Sequence, residues 1–501
     1  MRTFRFLRQF LWVGVFLFFA TSAALAQPAT VVATGLQVPI KIFLTPAGNL
    51  LVLEGGTGAN TGRISIVSRS GTRRTLVDGL PSGINTEGER PTPIGPTGIE
   101  IVGDVLFVVI GSGDETVPGA TPGSTLPNPS PASPLLSSVL RLRLGSVDAT
   151  TGDFHLTAAQ HAAIKGGSEV SLTNPQGETL KVSLVVDFPD FVGPIGSNPF
   201  GIAVLGSHIY VVDAALNRIQ NVDPVTGNYE TLTTFPQIAN SFSPALGPPF
   251  IDVVPDSIRL SNGQFLVPFL TGFPFAPGGS SVARVDPSTG NWQTLIPGRT
   301  SAIDAISPAA SPTKFLVLEF STNMTAGAPG QLLFFNSATG SPTVLASPLI
   351  TPTNMAFDPN SREVFITELG PGRVVRVSAA DVIPAAPCTP DSTSLCLNGG
   401  RYRVRATFRT PQGATGNGIA VPLTSTSGYF WFFSPDNIEV TVKVLNGCSF
   451  NSRNWVFAAG MTNVGVTLTV TDTATGVTKT YENPVGTAFA PILDTAAFNC
   501  S

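Results

Sequence analysis

The stretch GSHIYVVDAALNRIQNVDPVTGNY, residues 206–229, reads as two strands and two turns. The apolar run Ile209-Tyr210-Val211-Val212 ends in Asp213, a second run begins at Arg218, and the turn Asp223-Pro224-Val225-Thr226-Gly227 follows. Variants recur along the chain. Apolar runs precede Glu54 (Leu51-Val52-Leu53), Glu319 (Phe315-Leu316-Val317-Leu318) and Glu368 (Val364-Phe365-Ile366-Thr367), while residues 106–110 and 265–269 keep the run without the acid. Upstream of each lies a start signal: Pro39-Ile40-Lys41-Ile42, Pro96-Thr97-Gly98-Ile99, Pro199-Phe200-Gly201-Ile202, Pro255-Asp256-Ser257-Ile258, Ile303-Asp304-Ala305-Ile306 and Pro352-Thr353-Asn354-Met355. Successive signals are 57, 103, 56, 48 and 49 residues apart. A period near 50 with short strands and Gly/Pro turns predicts an all-β propeller, one four-stranded sheet per blade and six blades in all.

The N-terminus has a different character. Arg2, Arg5 and Arg8 precede an apolar core at 11–20, and Ala24-Leu25-Ala26 resembles a small-residue cleavage site, so residues 1–26 read as an export signal. No later run approaches the roughly 20 apolar residues of a membrane helix. Without the signal the chain carries 25 basic against 32 acidic residues, a charge of −7, which disfavours nucleic acid as a partner. The low charged fraction of 12%, with 51 Gly and 44 Pro, fits many turns between short strands. The compartment expected is the periplasm or the cell exterior.

Within the repeat region, residues 30–36 (TVVATGL) have no blade of their own and are expected to supply the outer strand of the last blade, closing the ring. The long second repeat accommodates one blade with two insertions: a Pro/Gly/Ser loop at 113–134, and a segment in which Thr157-Ala158-Ala159-Gln160 is a capping box opening a short helix that stops at Gly166-Gly167. A seventh blade hidden there is the alternative.

The propeller is thus expected over residues 30–380, a linker over 381–390 and a second β domain over 391–501. All four cysteines, Cys388, Cys396, Cys448 and Cys500, lie near or in the last of these; in an exported chain they read as two disulfides, with three pairings open. Residues 401–410 alternate, Tyr402, Val404, Ala406 and Phe408 on one face and arginines on the other, and more strand candidates follow up to 482. A small disulfide-stapled β-sandwich is expected.

In such a blade the start of strand one and the end of strand two meet at one mouth of the central channel. This gathers Glu54, Asp213, Asp256, Asp304, Glu319, Asn354 and Glu368 around one opening, beside the long loops 55–62, 111–134, 271–279 and 321–330. Hard oxygen ligands there could hold Ca²⁺ or Mg²⁺; alternatively each acid caps its own loop. His155, His161 and His208 are expected on the opposite side, so acid–base chemistry at the mouth would fall to carboxylates. Neither a G-x-S-x-G elbow nor a Gly-rich phosphate loop is present. In the second domain, Tyr429-Phe430-Trp431-Phe432-Phe433 puts aromatics on both faces of a strand; one face is core, and Trp431 on the other is either covered or a sugar-stacking platform. The four-arginine face beginning at Arg401 is either solvated or faces an acidic polymer.

The repeats, with Pro199-Phe200-Gly201-Ile202 followed by Ile209 to Asp213 and Arg218-Ile219, resemble NHL-type (TolB-like) propeller repeats. An exported chain opening with Val31-Val32-Ala33-Thr34-Gly35-Leu36 and continuing through Ala379 resembles the ScyD/ScyE family. That resemblance covers about 350 residues, implies an exported six-bladed propeller and supplies no reaction. Related propellers include lactonases with a carboxylate/Asn metal site, compatible with Asn354 and the acids. The function expected is a non-catalytic binding or scaffold protein that takes a small molecule, glycan or protein on its long-loop face. A Ca²⁺- or Mg²⁺-dependent lactonase or hydrolase is the alternative, and carbohydrate attachment through the C-terminal domain a second one.

Overall fold

The computed structural model describes residues 26–87, 91–120, 124–193, 195–308, 311–384, 387–475 and 477–500. The signal at 1–26 lies outside these apart from Ala26. The chain is all-β. Within residues 30–378 six sheets are each built on four antiparallel strands; in blades one to five these follow in sequence order, with insertions between them in blade two, and in blade six the outer strand comes from the N-terminus. Blade one comprises Pro39–Leu44, Leu50–Glu54, Gly62–Val67 and Arg73–Leu80; blade two Pro96–Val102, Val105–Ile110, Ser138–Arg143 and Thr179–Asp187; blade three Pro199–Leu205, His208–Asp213, Arg218–Val222 and Tyr229–Thr234. Blade four comprises Arg259–Ser261, Gln264–Phe269, Ser280–Val285 and Trp292–Arg299, and blade five Ala302–Ile306, Phe315–Glu319, Gly330–Phe335 and Thr343–Leu349. In blade six, Pro352–Asp358, Glu363–Glu368 and Arg373–Ser378 are completed by Thr30–Ala33, which pairs antiparallel with Arg373–Ser378 and joins the two ends of the repeat region. The inner strands touch in a closed cycle from blade one through six and back to one.

The apolar runs are continuous because both faces of every blade are covered. A strand sends alternate side chains to opposite faces. Val211 therefore packs towards blade two with Val109 and Val139, whereas Tyr210 and Val212 pack towards blade four with Phe265 and Val267. The same arrangement produces six apolar clusters, one between each pair of successive blades. Each buried Val, Leu, Ile or Phe contributes about 1.5–3 kcal/mol relative to exposure, so the wedges between blades hold the ring together. Where inner strands crowd most, the start signal carries glycine: a Cβ on Gly98 would lie 2.7 Å from the Phe200 carbonyl oxygen, and one on Gly201 2.9 Å from that of Asp256.

The insertions in repeat two do not build a blade. Phe154–His155 adds in parallel to the outer strand of blade one, and Val170–Thr173 adds to the outer strand of blade two. Between them the helix Ala158–Lys165 starts at Thr157, whose side chain and that of Gln160 form the reciprocal cap, and ends at Gly166. The strand of blade one that it follows runs towards the long-loop end. This carries His155 to Asp78 and His161 to Gly79 and Ser133, not to the opposite side, and the expected positions of these two histidines are corrected accordingly.

The C-terminal domain is two stacked sheets. One holds Leu395–Leu397, Tyr402–Arg409, Gly465–Asp472 and Thr478–Asn483, with Thr415–Asn417 on its edge; the other holds Ile419–Thr424, Ser427–Trp431, Val440–Gly447, Arg453–Gly460 and Ile492–Asn499. Tyr402, Val404, Ala406 and Phe430 meet in its core. Disulfides join Cys388 to Cys396 and Cys448 to Cys500. Among the described residues no helix is long and apolar enough to cross a membrane.

Candidate functional site

At the long-loop mouth the four acids ending second strands do the same local job. The Glu54 carboxylate accepts from the Gln37 backbone N–H, from Ser65 Oγ at 2.5 Å, and from Arg63 at 2.9 and 3.2 Å. Asp213 accepts from the Asn198 and Leu216 N–H groups and Ser197 Oγ, and pairs with Arg218. Glu368 accepts from the Ile350 N–H and Arg373, and Glu319 from the Thr300 N–H and from Gln331 Nε2 at 2.7 Å. Each acid therefore ties the turn entering its blade to the first or second residue of strand three, its direct partner in register. Without a cation opposite it, Glu319 is pushed up by burial, against the pull of its hydrogen bonds to Gln331 and Thr300. Among the described residues no three His, Cys, Asp or Glu side chains come together as a metal-holding group.

Asp304 and Asn354 do converge, deeper in the channel and with residues that the sequence reading did not single out. Arg259 donates through Nε (3.1 Å) and Nη2 (2.8 Å) to the two Asp304 oxygens, and through Nη2 to Asn354 Oδ1 (3.2 Å) and the Met355 carbonyl (2.8 Å). Asp304 also accepts from Asn354 Nδ2 (2.6 Å), Ser257 Oγ (2.8 Å) and the Met355 N–H (3.1 Å), while Asn354 Oδ1 accepts from the Ile42 N–H (3.2 Å). The inner strand of every blade is an edge, with backbone groups facing the channel and no further strand to pair them. These side chains supply partners and lace blades four, five, six and one together. Burial pushes the Asp304 carboxyl up, but the Arg259 guanidinium, the hydrogen bond from it and Lys41 outweigh that and hold it below the usual range.

Asp256 and Lys41 lie in the same channel. Both are buried, and Asp256 Oδ1 and Lys41 Nζ each lack a hydrogen-bond partner. Burial raises Asp256 to about 7, against the pull of Lys41, and lowers Lys41 against the pull of Asp304 and Asp256. The signal for Lys41 was in plain view: it is the third residue of its start signal, as Ser257 and Asn354 are, and stands two residues after the partner of the strand-two acid, as Asp304 and Asn354 do.

The channel opens at its other end, on the short-turn face, into a cavity of about 640 Å³. Its walls come from the ends of first strands, among them Leu44, Val204 and Ile306, together with Ile383 beyond the last blade; Glu100 and Arg259 are its charged residues. Burial raises Glu100 to about 7, against Arg259 and Lys41. The three histidines are engaged elsewhere: His155 pairs with Asp78, His208 with Asn221, and buried His161 with Gly79 and Ser133.

No family model and no curated protein matches the chain. Solved structures similar to it include a nidogen/laminin complex (13% identity over 65% of this chain and 91% of that chain, TM-score 0.34). Others are the Niastella koreensis GH74 enzyme (11%; 91% and 74%; 0.35) and the Myceliophteria thermophila Cps50 (Swd1) beta-propeller domain (11%; 68% and 98%; 0.33).

The long-loop face has apolar residues at its surface. Leu126, Val192, Phe242, Phe250 and Phe273 are 43–57% exposed and come from four separate connections. In the C-terminal domain Phe430 and Phe432 are buried, whereas Trp431 and Tyr429 are half-buried on the opposite face of their sheet. Across that face Trp431 lies opposite Ile419, Tyr429 opposite Thr441, and Phe457 opposite Lys443 and Leu493. The arginine face is partly committed: Arg401 pairs with Asp472 at 3.0 Å, and Arg405 Nε donates to Ser394.

Proposed function

We propose that the chain is an exported binding or scaffold protein of the ScyD/ScyE type that holds a partner protein on the long-loop face of its propeller. The observation that carries this is the exposure of large apolar side chains on four loops of one face, with the acids beneath them occupied by their own turns. Two disulfides support a route through an oxidising compartment.

The test has two parts. Thermal midpoints of the chain from Gln27 are measured with Ca²⁺, with Mg²⁺ and with chelator, for the parent protein and for Glu54→Gln, Asp213→Asn and Glu368→Gln. Loop-capping acids predict no ion response and a lower midpoint in every variant. A specific ion would instead stabilise by about 2.7 kcal/mol at 100 times its dissociation constant and lose that effect in the variants, which would bring the metal-dependent hydrolase forward. Phe250→Glu and Phe273→Glu are then compared with Val225→Glu, on a short turn of the other face, for retention of partners from the exported fraction of producing cells. Loss in the first two alone supports the reading; equal behaviour of all three refutes it.

A second reading has its own observation. Trp431, Tyr429, Trp455 and Phe457 share the outer face of one sheet in the C-terminal domain, an arrangement on which sugar rings stack. It adds an attachment function to the scaffold.

A further inference from the structure

We propose that the cavity on the short-turn face is a second binding site, for a small apolar molecule bearing one protonated amine, with the Glu100 carboxylate as its counter-ion. Geometry supplies the class of ligand. The cavity is roomy enough for a small organic molecule at about 640 Å³ and is walled by aliphatic side chains, Leu44, Val204, Ile306 and Ile383 among them. Its charged groups are not equivalent. Arg259 is already matched by a bidentate bond to Asp304. Lys41, deeper in the channel, is acted on more strongly by Asp304 and Asp256 than by Glu100, although its Nζ bonds to none of them.

Glu100 is left over. Among the described residues no donor bonds its carboxyl and no salt bridge engages it, and it lines the cavity directly. An acid in that position is half-starved of solvation and has no local partner, which is why it titrates near neutrality, with Arg259 and Lys41 the charged groups acting on it. A ligand ammonium supplies both the missing donor and the missing charge, whereas a carboxylate ligand would add a second anion. Ile383 follows the last blade and forms part of the wall, so the site is completed by the segment leading to the C-terminal domain.

The test is isothermal titration of the full exported chain with hexylamine, hexan-1-ol and hexanoic acid at pH 8 and pH 6. The amine is expected to bind at pH 8 about 10- to 100-fold tighter than the alcohol, the size of one charge-assisted hydrogen bond in a sheltered site. Its advantage shrinks at pH 6, where Glu100 is protonated, and near pH 7 amine binding releases protons, read from titrations in buffers of different ionisation enthalpy. Glu100→Gln, nearly isosteric, abolishes the preference for amine and leaves alcohol binding unchanged. Val204→Trp fills the cavity and removes binding of all three, with an unchanged melting profile as the control for folding. Equal or better binding of the alcohol or the acid, a preference that survives Glu100→Gln, or no binding of any probe overturns the proposal. The long-loop variants Phe250→Glu and Phe273→Glu leave amine binding intact, so failure here is distinguishable from failure of the scaffold reading.

Discussion

Removing Asp304 tests whether the channel brace holds the ring. Its carboxylate is fully buried and accepts from the Arg259 guanidinium, Asn354 Nδ2, Ser257 Oγ and the backbone N–H groups of Ala305 and Met355. Asp304→Ala removes the acceptor these donors share and leaves the mostly buried Arg259 guanidinium without its counter-ion, Nη2 keeping only the Asn354 and Met355 oxygens. Breaking one side of a buried ion pair costs about 3–5 kcal/mol, a large fraction of a typical domain's ~5–15 kcal/mol stability. The double variant Arg259→Met/Asp304→Leu removes both charges and replaces them with apolar volume, so it is expected to recover much of that loss, with a coupling of about 2–3 kcal/mol. Urea unfolding is followed through Trp292, which packs in blade four against Phe235 and Phe269, in a background where Trp431 and Trp455 are Phe so that the propeller is read alone. The folded-state value of Asp304 lies below its ordinary 3.8. Its contribution is therefore complete above pH 3.8 and is lost as pH falls through the folded value, and Asp304→Ala should flatten the acid limb of the stability profile. A cost under ~1 kcal/mol for the single variant, or a double variant no better than the single, would refute the brace.

Burial raises Glu115 to about 9, against a 2.5 Å bond from Ser137 Oγ and with Asp190 adding to the rise. A folded value above the unfolded 4.5 gives a contribution complete below pH 4.5 and lost as pH rises towards 9, at up to about 1.4 kcal/mol per pH unit. Glu115→Gln should thus stabilise the chain at pH 8 and not at pH 4, as read from paired melting curves. Chain entropy assigns about 4 kcal/mol to the Cys448–Cys500 bridge, separation 52, and about 2.5 kcal/mol to Cys388–Cys396, separation 8. Ser pairs at each position, melted separately, should keep that order. Trp431→Ala and Trp455→Ala should each release the chain from an immobilised glucan while leaving its midpoint within a few degrees; unchanged retention removes the glycan reading.

The repeat was legible because its physical cause is local and periodic. A blade is buried on both faces, so runs such as Ile209 to Val212 and Leu50 to Leu53 are apolar at every position and stand out between Gly- and Pro-rich turns. The same periodicity marked residues 30–36 as an outer strand in search of a blade, and the capping box at Thr157 announced its helix. In the C-terminal domain the strands Leu395–Leu397, Thr415–Asn417, Ile419–Thr424 and Ile492–Asn499 were not legible, since none carries an alternation long enough to read.

The acids divide by depth in the ring. Glu54, Asp213, Glu319 and Glu368 recur with the blade, which left loop cap and metal ligand both open, and in the structure each is bonded to the turn entering its own blade. Asp304, Asn354, Lys41 and Arg259 each occupy a blade's inner strand, yet the partners are 45 to 96 residues away for Arg259 and 312 for Asn354 and Ile42. Sequence by itself determined the repeat, its strands, the recurrence of an acid at the end of strand two and the region that carries the cysteines, because those follow from short-range pattern. Tertiary packing decided the rest: closing the ring set which inner-strand side chains face one another across the channel and left Glu100, among the described residues, without a hydrogen-bond or ion-pair partner at the short-turn mouth, while the folding of the C-terminal domain set which of the three disulfide pairings forms. Such pairings depend on where distant segments come to lie, and in the ring it is the packed wedges between blades that bring the inner strands together.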